Sequence, residues 1–206
     1  MPEGDHQPPA DQGQRYSIVL PPGWAAIPLR SGTRAAVRDI LDSSFRGLPR
    51  DKYGPYRHEL ERRLHELADQ ARCNSGVDLY LPVDLMHGLP VSASFVVSEV
   101  SFGSIETPDP ALVVAKLAAD STGSGVVSVD GAMAARTERI VAGDAAKGSG
   151  HATRRVTYIV AVPGDADRWL SVAFSTPGAG GPEDNVSNLL VELFDAMMAT
   201  FRWGQR

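Results

Sequence analysis

The sequence predicts an α+β domain in which an antiparallel sheet of six or seven strands is packed with helices. Segments with alternating apolar and polar residues follow one another with turn residues between them. Segments with helical spacing of apolar residues occur near both ends of the chain. The 206 residues, 43% of them hydrophobic, suffice for one domain with its own core. We expect residues 1–14 to be a disordered tail and residues 15–206 to form this domain.

The first element is a predicted strand over residues 15–20, which are rich in strand-forming side chains. Pro21-Pro22-Gly23 ends it, because proline has no backbone donor and glycine permits a turn. A short return strand over residues 24–29 would then place Trp24 over the core. We interpret this stretch as a corner of the fold and not as a catalytic loop, since no partner residues for catalysis accompany it.

Two helices are predicted next, over residues 33–46 and 56–73. Ser31 or Thr33 is a candidate N-cap for the first helix. The second has the strongest helical pattern of the chain, and Asn74 or Gly76 can end it. Its apolar stripe consists of Leu60, Leu64, Leu67, Ala68 and Ala71.

The remaining segments predict strands with one short helix between them and one long helix at the end. Asp109 as N-cap and Pro110 at the first position begin the short helix. The long helix spans residues 182–203, where Glu183 and Asp184 suit the helix dipole at its N-terminus. Its apolar stripe consists of Val186, Leu189, Leu190, Leu193, Phe194, Met197 and Phe201. The predicted strands are residues 77–83, 89–102, 125–129, 134–142, 153–162 and 168–176.

One face of the predicted sheet is apolar and should pack against the C-terminal helix, which would fix the register of the strands. Its residues are Phe95, Val97, Val156, Tyr158, Val160, Val162, Leu170, Val172 and Phe174.

The opposite face has small, weakly polar residues and almost no charge, with Arg155 as the main exception. A face open to water usually carries charged side chains, so we expect something to cover it. Helices 33–46 and 56–73 could do so and make a three-layer sandwich. Alternatively, the face is a shallow groove for an apolar segment of a partner. In that case the predicted partner-binding residues are Ser94, Val96, Ile159, Trp169 and Ser171.

Charge and hydropathy exclude several classes of function. The net charge is −5 and the arginines are scattered, so we expect no nucleic-acid partner. The sequence has no run of about 18 apolar residues, so we expect no membrane span. The N-terminus lacks the pattern of a signal peptide. Arginine far outnumbers lysine, as in high-GC bacteria, so we expect a bacterial protein. Because neither a membrane span nor a signal peptide is predicted, we expect it in the cytoplasm.

No motif for catalysis, metal binding or cofactor binding can be assigned. Cys73 is the single cysteine, and His58 and His65 stand seven residues apart, too far for one metal ion. The glycine-rich loop 143–150 lacks the Lys-Ser/Thr pair after its last glycine, and a strand and not a helix is predicted to follow it, unlike in a phosphate-binding loop. We therefore expect no catalytic residue, no metal site, no cofactor and no enzymatic activity.

The order of elements resembles the PsbP-like superfamily. The segments that carry the resemblance are "YSIVLPPGW", "VSVDGAMAAR", "RWLSVAFST" and "LFDAMMATFRW". The superfamily includes the photosystem II subunit PsbP, a Ran-binding nuclear transport factor, bacterial lipoproteins and effector-associated chaperones of type VI secretion. The resemblance implies an α/β/α sandwich over residues 15–203 and a non-catalytic role in binding proteins.

From these observations we expect an adaptor or chaperone-like protein that binds an apolar protein segment, linked to a secretion or injection system. Two alternatives stay open. One is a structural subunit whose uncovered sheet face joins copies, for example in a homodimer. The other is a small-ligand domain, which would need convergent groups such as Arg155, Tyr158 and Glu138, although their alternation gives them no obvious shared face.

Overall fold

The computed structural model describes residues 16–86, 88–102, 109–119, 124–143, 152–178 and 184–204. Within them the chain has the predicted α+β fold, with four helices and a seven-stranded antiparallel sheet. In chain order the elements are β1 (Tyr16–Ser17), β2 (Trp24–Pro28), α1 (Thr33–Ser44), α2 (Arg50–Cys73), β3 (Gly76–Pro82), β4 (Ser94–Ser101), α3 (Pro110–Ala119), β5 (Gly125–Val129), β6 (Ala132–Val141), β7 (Thr153–Val162), β8 (Asp165–Pro177), α4 (Asn185–Ala199) and β9 (Arg202–Trp203).

The main sheet has the strand order β2-β3-β4-β8-β7-β6-β5, and every neighbouring pair is antiparallel. Strands β5 to β8 form a meander, as their turn residues predict. Strand β4 pairs with β8 on the other side of this meander, and β3 and β2 follow beyond β4. The two edges of the sheet are therefore β2 and β5.

The predicted first strand differs from what the structure shows. Only Tyr16–Ser17 is extended in a ladder, and it pairs with β9 outside the main sheet. The Tyr16 ring stacks on Phe201 at 5.4 Å, and its hydroxyl donates a hydrogen bond to Asp78. Pro21 and Pro22 offer no backbone donors, and the chain enters the main sheet only after them, at Trp24. Trp24 lies in the core at 9% exposure, as the sequence indicates.

One face of the sheet, here called the front face, packs against α4. Phe194 of α4 is fully buried and lies at the centre of this layer. Its ring is 4.8 Å from the Phe174 ring, 5.5 Å from the Phe95 ring and 5.7 Å from the Tyr158 ring. Each fully buried large side chain stabilises the fold by about 1.5–3 kcal/mol. The nine predicted core residues of the sheet are all buried here.

Helix α4 is shorter than the predicted helix 182–203: it begins at Asn185 and ends at Ala199. The Asp184 carboxylate accepts a hydrogen bond from the Ser187 amide at 3.1 Å, so Asp184 is the N-cap. Residues 202–203 form β9 and not a last helical turn, and the Trp203 amide donates to Asp130 at 2.8 Å. Within the predicted apolar stripe, Val186 and Leu189 are exposed.

The other face, here called the back face, is covered by helices on both sides and left open between them. Helices α1 and α2 pack over β2 and β3, around Ile27, Leu41 and Leu79. Helix α3 packs over the opposite side, where Val114 contacts Trp169 and Ala135. The sequence predicted the cover by α1 and α2, but not the cover by α3.

The start of α1 corrects the predicted cap. Neither Ser31 nor Thr33 caps the helix. The N-cap is Gly32, with a φ of 81°, and a glycine offers no side-chain acceptor. The Thr33 hydroxyl instead donates to the Pro28 carbonyl at 2.6 Å. Asp109 does accept a hydrogen bond from the Ala111 amide at 2.9 Å, at the predicted start of α3.

Candidate partner-binding groove

A groove of about 610 Å³ lies on the back face between α2 and the sheet. We call it the back groove. Its wall is aliphatic, with Leu67 and Ala71 from α2 and Leu79 and Leu81 from β3. The rest of its lining consists of small or polar residues: Gln70, Asn74, Ser92, Ala93, Ser94, Val96, Thr153, Arg155, Ser175, Thr176 and Pro177.

Helix α2 packs on the sheet with only part of its apolar stripe. The rest of the stripe stays exposed and forms one side of the groove. Leu64 and Ala68 point into the core, at 3% and 1% exposure. Leu67 lies on the flank of the same stripe and is 51% exposed at the rim of the groove. An exposed leucine beside a concave aliphatic wall is a typical feature of a binding surface.

Gly76 sets how closely the end of α2 approaches the sheet. A Cβ at this position would lie 2.6 Å from the Ala71 carbonyl oxygen and 2.6 Å from Leu29 Cδ1. Only glycine fits such a contact without a shift of the backbone. Asn74 ends α2 as its C-cap, as predicted, and lines the groove next to Ala71. The turn from α2 to β3 therefore fixes the groove wall.

The floor of the groove ends in a row of residues that crosses four strands. Ser94 pairs with Ser175, Ser175 with Arg155, and Arg155 with Arg139. Paired residues of antiparallel strands share a face, so the two arginines leave the back face side by side. Among the described residues, neither guanidinium group has a carboxylate within ion-pair distance. The open end of the groove thus carries two positive charges without a partner there.

The five predicted partner-binding residues all lie on the back face, but the structure brings only two of them into the groove. Ser94 and Val96 line its floor. Ser171 and Ile159 are paired neighbours on the same face and are half-buried nearer to α3. Trp169 is 1% exposed under α3 and belongs to the protein's own core, so it is not accessible to a partner.

Sequence reasoning missed Leu67, Arg139 and the role of α3. Leu67 belongs to a regular helical stripe, and a stripe does not show which of its members the tertiary packing leaves exposed. Arg139 stands opposite Arg155 only because of the strand register, which the hairpin connection decides. The segment of α3 is apolar on all sides and gives no periodic signal of a buried face.

The polar groups considered for a small-ligand site do not converge in one place. Tyr158 and Glu138 lie on the front face and Arg155 lies on the back face, so the three groups share no face, as expected. Tyr158 donates to Asp195 of α4 at 2.8 Å, and Arg136 contacts the same carboxylate at 2.8 and 3.0 Å. Arg154 donates to Glu138 at 2.7 Å. These groups bind one another and tie α4 to the sheet.

The ionisation of this front-face cluster is set by burial and by Asp195. Burial raises the pKa of Tyr158, and its hydrogen bond to the Asp195 carboxylate raises it further. Burial acts to lower the pKa of Arg136, but the hydrogen bonds to Asp195 and Glu138 outweigh it and raise this pKa. Tyr158 is therefore neutral and Arg136 charged, as expected for a structural network.

Within the described ranges, no three His, Cys, Asp or Glu residues stand close enough together to hold a metal ion. No helix in this part of the chain is long and apolar enough to cross a membrane. The tail 1–14, residues 144–150 of the glycine-rich loop and Glu183 lie outside the described residues.

Comparison with models of known protein families gives no match to this chain. Comparison with characterised proteins gives no significant match either.

Proposed function

We propose that the protein is a non-enzymatic adaptor or chaperone-like protein that holds an apolar segment of a partner protein in the back groove. The observation that carries this proposal is the combination of Leu67, 51% exposed at the rim, with an aliphatic wall and a floor of small residues. In this proposal the protein is bacterial and cytoplasmic, and the partner belongs to a secretion or injection system, as the PsbP-like resemblance implies.

Apolar burial supplies the affinity in this proposal. Covering the aliphatic surface of Leu67, which is 51% exposed, and of the half-buried Leu81 removes it from water, which contributes about 25 cal/mol per Å². Serine and alanine on the floor let a segment approach the sheet closely.

The two arginines supply selectivity. Arg155 lies in the groove and Arg139 lies beside it, both without a carboxylate partner among the described residues. A carboxylate on the partner would bind between them, since guanidinium groups form paired hydrogen bonds with carboxylates. We therefore assign the partner as an apolar segment that carries Asp or Glu next to its apolar residues.

Selection from a library of random displayed peptides tests the proposal. We expect the peptides that bind the wild-type protein to combine Leu, Ile, Val or Phe with Asp or Glu. Their binding should be lost in Leu67→Glu, which adds a charge to the rim, and kept in Tyr56→Glu, a matched change at a 69% exposed residue of the same helix.

Two results would overturn the proposal. One is that the selected peptides bind Leu67→Glu as tightly as the wild-type protein. The other is that they are enriched in basic and not in acidic residues. Circular dichroism of both variants shows that each has kept its fold.

A further inference from the structure

We propose that two copies of the chain associate through the outer edge of β5, so that their sheets join into one continuous sheet. This inference does not depend on the back groove, because α2 and α3 cover opposite sides of the back face. The first observation is an open strand at the edge of the sheet. Strand β5 is the last strand of the sheet, and its outer side pairs with no residue in the described ranges.

The β5 edge lacks the features that usually protect a sheet edge. Residues 125–129 read "GVVSV" and contain neither a charged residue nor a proline. Natural edges are commonly blocked by charge, proline or a covering element. The opposite edge follows this rule, because β2 ends at Pro28 and packs against α1. The unprotected edge predicts a strand partner.

The surface next to β5 is also apolar and uncovered. Helix α3 has ten residues and one charge, Lys116, and Val114 is its buried residue. Leu112 of α3 is 69% exposed and Val126 of β5 is 54% exposed. Apart from Lys116 the helix is apolar, and a helix with so little polar surface normally packs against more than one neighbour.

A twofold axis through β5 covers both surfaces at once. Antiparallel pairing of two identical strands keeps the back faces on the same side, and a register centred on Val127 pairs all five residues with the partner copy. Helix α3 lies over β5 and β6. With strands about 4.8 Å apart, a helix centred between β5 and β6 lies about 10 Å from its copy across the axis. Packed helices have axes about 8–10 Å apart.

This geometry favours a second copy over a foreign strand. An added peptide strand would satisfy the backbone of β5 and leave the outer side of α3 in water. A second copy supplies a strand and a helix together, and the small residues Ala115 and Ala119 allow the helices to approach. The absence of charge from β5 also suits a twofold axis through this strand, because residues close to the axis meet their own copies.

Sedimentation velocity at high micromolar concentration tests this assignment. We expect the wild-type protein to sediment as a dimer. Leu112→Lys and Val126→Lys, each at an exposed position, should weaken the dimer by about tenfold or more, because each places a charge in the interface. Val186→Lys, a matched change at a 66% exposed residue of α4, should leave the dimer intact.

A cross-link gives an independent measurement. In a Cys73→Ser background, Val127→Cys should form a disulfide-linked dimer under mild oxidation, because the proposed register places residue 127 opposite itself. Cooperative unfolding of each variant shows that its fold is retained. A monomeric wild-type protein, or a dimer that both interface lysines leave unchanged, would overturn the proposal.

Discussion

Arg155 lies directly opposite Arg139 on the neighbouring strand, and both side chains leave the back face of the sheet. Like charges in direct cross-strand pairs destabilise a sheet by about 0.2–1 kcal/mol. In the free protein, no carboxylate of the described residues offsets this cost. A partner that places a carboxylate between the two guanidinium groups would remove the repulsion, so binding and stability are linked at this position.

The first prediction tests that link. Arg155→Glu should raise the free energy of unfolding by about 0.2–1 kcal/mol, because it replaces a repulsive pair by an attractive one. The same change should abolish binding of acidic peptides. Urea unfolding at low and at high salt measures the first effect, which should shrink as salt screens the charges.

The double variant Arg139→Glu with Arg155→Glu is the control for this prediction. It restores two like charges, so the gain in stability should disappear. If Arg155→Glu is less stable than the wild-type protein at low salt, the repulsion between the two arginines is not a significant term.

The second prediction concerns Trp169. Because it is 1% exposed and packs with Val114 and Phe102, Trp169→Ala should lower the free energy of unfolding by about 3–5 kcal/mol. Ser171→Ala, at a half-buried position on the same strand and face, should change it by less than about 0.5 kcal/mol. Chemical denaturation of both variants measures this difference. A Trp169→Ala protein of wild-type stability would contradict the packing of α3 on the back face.

Trp169 also shows where sequence reasoning succeeds and where it fails. Alternation in β8 correctly places Trp169 on the face opposite Leu170, Val172 and Phe174, since side chains of a strand alternate between faces. Alternation does not say which helix covers which part of a face. That depends on long-range packing, and here α3 covers Trp169 while α2 leaves Leu67 exposed.

The elements themselves were predictable to the extent that local chemistry decides them. Strand β7 was predicted at both ends, because turn residues flank a strictly alternating run. Strand β1 was predicted too long, and β9 was assigned to a helix. Both of these strands consist of two residues, and they depend on contacts between distant parts of the chain, such as the stacking of Tyr16 on Phe201.

The third prediction concerns the front-face cluster. The Asp195 carboxylate accepts hydrogen bonds from Arg136 and from Tyr158, and all three groups are at least partly buried. Asp195→Ala should therefore lower the free energy of unfolding by about 1.5–3 kcal/mol. Tyr158→Phe should lower the free energy of unfolding by less in the Asp195→Ala background than in the wild-type protein, because the hydrogen bond is already absent there. Strictly additive effects in this double-mutant cycle would contradict the shared contact.

The fourth prediction is a pH dependence due to Glu99. Burial acts to raise the pKa of Glu99, but hydrogen bonds from Arg30 and Arg168 outweigh it and hold this pKa below its ordinary value of 4.5. A lowered folded-state pKa contributes stability that is present above the ordinary value and is lost as pH falls through the folded-state value. Glu99→Gln should therefore be less stable than the wild-type protein at neutral pH.

The gap between the two proteins should close as pH is lowered, because protonation removes the charge that only the wild-type protein has. Urea unfolding of both proteins over the acid range measures this. A gap that stays constant with pH would mean that Glu99 stabilises the fold through packing and not through its charge.

The fifth prediction joins the groove to the turn that positions it. Gly76→Ala places a methyl group 2.6 Å from the Ala71 carbonyl oxygen, so the end of α2 must move away from the sheet. We expect a loss of about 1–3 kcal/mol in the free energy of unfolding and weaker binding of the selected peptides, because Ala71 and Asn74 line the groove.

Gly54→Ala is the matched control on the same helix. Apart from its chain neighbours, nothing lies within 4 Å of its added methyl group, so it should leave the groove wall and binding unchanged. Equally weak binding in both variants would show that the affinity does not depend on the position of the groove wall that Gly76 sets.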